Sequence, residues 1–72
     1  MPNHKLRALM FEYGDTVRDL AALLHITPEA MSRKLAGKSE FKTREIRALV
    51  LHYNLTPAQT WEILLNLDPN TT

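Results

Sequence analysis

HITPEAMSRKLAGK, residues 25–38, reads as a short helix that carries its own start and stop signals. Thr27 places a hydroxyl where the first free amides need an acceptor, and Pro28 stands at the first helical position, where a missing N–H costs nothing. Gly37 tolerates the left-handed backbone that closes a helix, so the segment is predicted to be helical for about ten residues. Met31 and Leu35 lie one turn apart and are expected to point inward, leaving Glu29, Ser32, Arg33 and Lys34 toward water.

On the amino-terminal side, DTVRDLAALL has Thr16 and Asp19 at the spacing of a capping box, followed by Val17, Leu20, Ala21 and Leu24 as one stripe. A helix is expected from Thr16 to Leu24. His25 then occupies a turn and Ile26 returns to the core, so two helices are separated by only about three residues. Ala21 is small where the two would cross. Earlier still, Leu6, Leu9, Met10 and Tyr13 predict a helix over Lys5–Tyr13, with Asn3 as its cap and Gly14 as its stop. On the carboxyl-terminal side, Ile46, Leu49, Val50 and Tyr53 share one face of a helix from Thr43 to about Asn54. Thr56-Pro57 repeats the Thr27-Pro28 signal, and Gln59 completes a second capping box ahead of Trp61, Ile63, Leu64 and Leu65. Phe41, set among charges, is expected to fold back beneath a neighbouring helix. No period-two strand pattern occurs. The expectation is an all-α protein of five short helices, one domain over residues 1–67, with a flexible tail at 68–72.

Seventy-two residues, 44% of them hydrophobic, suffice for one small core. Without cysteine that core must rest on packing alone, and no thiolate metal site is available. No apolar run approaches the roughly 20 residues of a membrane span, and the first residues lack a signal-peptide pattern. The chain is therefore expected to be cytoplasmic, complete and unprocessed. Net charge is only +1, yet six of the nine basic residues fall between Arg33 and Arg47. A basic block of this kind is usually a solvated face, and only its position beside the helix at 28–36 points to an anionic partner. An enzyme is not expected: His4, His25 and His52 lack metal-ligand spacing, Ser32 has no base and orienter beside it, and the two glycines form no phosphate-cradling loop. No cofactor or metal is foreseen.

Residues 16–37, TVRDLAALLHITPEAMSRKLAG, resemble the helix-turn-helix of the phage repressor and Cro family, and LTPAQTWEILL at 55–65 is similar to that family's closing helix. The chain differs in having Thr16-Val17 where many members carry a glutamine, His25 in place of a turn glycine, and Lys34 where many bury an aliphatic residue. The resemblance implies a lambda-repressor-like domain whose third helix enters the major groove of operator DNA. On that reading Pro28, Glu29, Ser32 and Arg33 face base edges, while Thr27, Lys34, Lys38, Lys42, Thr43 and Arg44 lie along phosphates. It implies a homodimer, with Trp61, Leu64 and Leu65 either completing the core or leaving an apolar edge for the second subunit. A different role open to short phage proteins of this kind is that of an antirepressor, which binds a companion phage repressor and masks its DNA-reading surface.

Overall fold

The structure is a computed structural model and describes residues 3–65. The expected tail at 68–72 and the expected domain end at 67 lie outside that range. Among the described residues the protein is all-helical, with five helices and no strand. Its contacts divide it into two compact units, Met1–Glu40 and Phe41–Thr72.

The first unit holds α1 (His4–Tyr13), α2 (Val17–Leu24) and α3 (Pro28–Leu35). Each begins on a side-chain oxygen that satisfies an otherwise free amide. Asn3 Oδ1 accepts from the Leu6 N–H at 2.9 Å, and Thr27 Oγ1 accepts from the Ala30 N–H at 3.1 Å. At α2 the exchange is reciprocal: Thr16 Oγ1 accepts from the Asp19 N–H at 3.1 Å, while the Asp19 carboxylate accepts from the Thr16 N–H at 2.8 Å. Hydrogen bonding from Thr16 to the carboxylate, its backbone N–H first and its side chain second, holds the Asp19 carboxyl below its ordinary range. A lowered folded-state value means that the cap is fully present above the ordinary carboxylate range and is lost as pH falls through the lowered value. Stability in urea should therefore decline on the acid side of about pH 4, and Asp19→Asn should flatten that decline. An equally steep acid limb in the variant would remove Asp19 as a source.

The helix ends obey one rule. Gly14, His25 and Gly37 take left-handed backbone at φ +73°, +58° and +79°. In each case the next residue's N–H returns to a carbonyl five positions back: Asp15 to Met10 at 2.8 Å, Ile26 to Ala21 at 2.9 Å, Lys38 to Arg33 at 2.9 Å. This is the closure that saturates a helix terminus, and glycine adopts it without a Cβ penalty. His25 adopts it despite its Cβ, and its side chain is exposed. His25→Gly is expected to raise unfolding stability by about 0.5–1 kcal/mol, the relief of left-handed strain less the extra chain entropy of glycine. Urea midpoints measure it; a loss would mean that the His25 side chain contributes more than its backbone costs.

The core of this unit consists of Leu6, Met10, Leu20, Ala21, Leu24, Met31 and Leu35, all buried, with α3 packed against both α1 and α2. Two expectations, the length of the third helix and the exposure of Lys34, need correction. The third helix has eight residues rather than about ten, because Gly37 turns the chain left-handed immediately after the Ala36 cap. Tyr13, the last residue of α1, is 56% exposed, since no further turn follows to cover it. Lys34 is half-buried rather than turned fully to water.

The second unit holds α4 (Thr43–Tyr53) and α5 (Pro57–Thr60), which continues in a wider π-type winding over Trp61–Leu65. Lys42 precedes α4 and has no side-chain acceptor to offer, so the cap is assembled differently. Glu45 reaches back and accepts from the Lys42 N–H at 2.8 Å, while the Lys42 carbonyl accepts from the Glu45 and Ile46 amides at 2.9 Å each. α4 ends on Asn54, left-handed at φ +53°, and Leu55 N–H closes on the Val50 carbonyl at 3.0 Å, the same device as in the first unit. Thr56 and Gln59 form the second reciprocal box, with bonds of 3.2 and 2.9 Å. Leu49, Tyr53, Leu55 and Leu64 are buried here, as is Glu45.

Candidate functional site

The base-reading and phosphate candidates fall in both units, and each set is described by itself. In the first, α3 is held from below by Met31 and Leu35, both fully buried. With those two residues inward, helical geometry turns Glu29 and Arg33 to the opposite side and Ser32 to the flank, while Pro28 shares the Met31–Leu35 face but stands at the open first turn; all four are exposed. Glu29 and Arg33 are one turn apart with the acid nearer the amino terminus, the order that favours attraction between them. Glu29 sits in the first turn of α3 and Arg33 and Lys34 in the last, so each charge also complements the helix dipole.

The carboxyl-terminal end of α3 is saturated. The Ser32, Arg33, Lys34 and Leu35 carbonyls accept from Ala36 at 2.9 Å, Lys38 at 2.9 Å, Gly37 at 3.2 Å and Asn3 at 2.8 Å. All four carbonyls that a helix normally leaves without intrahelical partners are therefore satisfied by the protein itself. The helix is thereby fixed along its inner face and at its far end, while its outer row stays open. Thr27 is exposed but its hydroxyl already serves the Ala30 amide. Lys38 is exposed, whereas the Lys34 ammonium donates to the Glu40 carbonyl at 2.9 Å.

In the second unit Lys42, Thr43 and Arg44 are exposed at the start of α4. Of the apolar trio, Leu64 is buried, Leu65 is half-buried, and Trp61 is 49% exposed. Leu64 therefore belongs to the core, and Trp61 carries most of the apolar area that this trio leaves open. Sequence reasoning passed over Glu45. The spacing Lys42-x-x-Glu45 was visible as half of a capping box, but lysine in the cap position obscured it.

Among the described residues no group of three His, Cys, Asp or Glu side chains is placed to hold a metal, and no helix is long and apolar enough to cross a membrane. Comparisons of the chain with protein-family models, curated proteins and solved structures give no match.

Proposed function

We propose that this chain is a small, non-enzymatic transcriptional regulator of the Cro type, working in the cytoplasm of a bacterial host, in which α2, the turn at His25–Thr27 and α3 form a lambda-repressor-like helix-turn-helix. The observation that carries the reading is the two-sided character of α3. Met31 and Leu35 are sunk in the core while Glu29 and Arg33 opposite them, Ser32 at the flank and Pro28 at the first turn are all exposed, on a helix tied down at its far end. A recognition helix needs that combination, because base edges are read only by side chains projected from a backbone that does not shift. Arg33 suits the paired acceptors of guanine and Glu29 the amino group of cytosine, with Ser32 able to serve either a base or a phosphate. Lys38, and separately Lys42, Thr43 and Arg44, supply positive charge and amides for phosphate oxygens. Two copies on half-sites about 34 Å apart would turn a few contacts per helix into useful affinity, with Trp61 at the seam. Occupancy of the operator then excludes polymerase or a competing repressor.

The test is titration of duplex DNA, with sites selected from a random pool, over a range of salt. Affinity should fall steeply with salt, Lys38→Ala should lower the slope of log K against log salt by about one, and Arg33→Ala should relax preference at one base position by about 1–3 kcal/mol. A uniform loss across sequences in Arg33→Ala would make Arg33 a phosphate contact. The exposure of Glu29 at the front of α3 and of Asp19 on α2 favours a second reading, an antirepressor whose acidic side chains meet the basic DNA-reading face of a companion phage repressor. Failure to bind any duplex at low salt, together with a stable complex with such a repressor, would decide for it.

A further inference from the structure

We propose that Lys34 is a positioning residue that presents Lys38 to phosphate, rather than a phosphate contact itself; the inference rests on the DNA-binding reading. One residue holds the segment 37–40 at both of its ends. The Lys34 carbonyl accepts from the Gly37 N–H at 3.2 Å, and the Lys34 ammonium donates to the Glu40 carbonyl at 2.9 Å. Between these two anchors the Lys38 N–H is tied to the Arg33 carbonyl at 2.9 Å, so the backbone beneath the Lys38 side chain is fixed on three sides. Lys38 and Ser39 remain exposed, whereas Lys34 is half-buried. A bond from an ammonium to a carbonyl is charge-assisted and stronger than one between neutral groups, and the aliphatic stem of Lys34 can lie along α3 while its head crosses to Glu40. A lysine committed in this way neutralises no phosphate. It acts by reducing the chain entropy that Lys38 would otherwise lose on gripping one.

The experiment compares wild type, Lys34→Met, Lys34→Arg and Lys38→Ala, using a mixed-sequence 24-bp duplex as the DNA probe and amide hydrogen exchange on the free proteins. Lys34→Met should weaken binding by roughly 2–10-fold while leaving the salt slope at the wild-type value, whereas Lys38→Ala should lower the slope by about one. In the free protein Lys34→Met should speed exchange at the Gly37 and Lys38 amides, and Lys34→Arg, which can still donate to Glu40, should restore both protection and affinity. The wild-type chain offers a readout independent of any variant's folding: the Lys34 ammonium protons should exchange with water more slowly than those of Lys38. A drop of about one in the slope for Lys34→Met would make Lys34 a phosphate contact and overturn the proposal. Unchanged exchange at Gly37 and Lys38, or a Lys34 ammonium as labile as that of Lys38, would overturn the brace. If the wild-type protein does not bind the duplex, the DNA reading fails, and the exchange comparison still decides separately whether Lys34 holds the segment.

Discussion

Leu35→Ala is expected to lower unfolding stability by about 3 kcal/mol, the middle of the range for emptying a fully buried leucine site. The side chain is wholly enclosed, and α3, which carries it, packs on both α1 and α2, so neither neighbour can collapse into the gap without leaving the other. For a chain this small total stability is on the order of 4–10 kcal/mol, so such a loss would remove from about a third to about three quarters of it. Urea denaturation followed by far-UV circular dichroism measures it. Met31→Leu, which conserves volume at the neighbouring inward position, should cost less than about 1.5 kcal/mol. A Leu35→Ala loss below 1 kcal/mol would show that the inner face of α3 is not packed as described, and the outer row would lose its support.

The second large effect belongs to Glu45. Replacing it with alanine removes the acceptor of the Lys42 N–H and empties a buried position, and should cost about 2 kcal/mol. Glu45→Gln keeps an amide oxygen in reach of the same N–H and should retain most of the difference. Trp61 is the only tryptophan and lies in the same unit, so its fluorescence reports this transition directly. Equal losses in the two variants would mean that the carboxylate charge, rather than acceptance from Lys42, is what the site uses.

Most of the helical plan could be read along the chain because the signals were local. Asn3, Thr16, Thr27 and Thr56 cap as their spacing predicted, and Gly14 and Gly37 turn the chain where they were expected to. The inward set of α2 and α3 followed from periodicity, since a helix hides whichever stripe is apolar. Glu45 escaped because burial of a carboxylate depends on a donor three residues earlier whose side chain looks nothing like a cap. Whether Leu64 would complete the core or lie at an apolar edge was open in the sequence, because periodicity marks an apolar stripe and not which part of it a neighbouring element covers; Leu64 is buried and Trp61 is not. The role of Lys34 was hidden too, because a lysine amid other bases suggests a shared ligand, and only the carbonyl it meets distinguishes it from Lys38.

Asn3 ties the start of α1 to the end of α3, its N–H on the Leu35 carbonyl and its side chain on the Leu6 amide. A backbone amide ahead of the first turn of a helix has no partner within that helix. This one can be shielded only after α1 has come to rest against the finished α3. Its deuterium uptake should therefore follow whole-unit opening rather than local loosening, making it a built-in gauge of assembly for everything between residues 3 and 35.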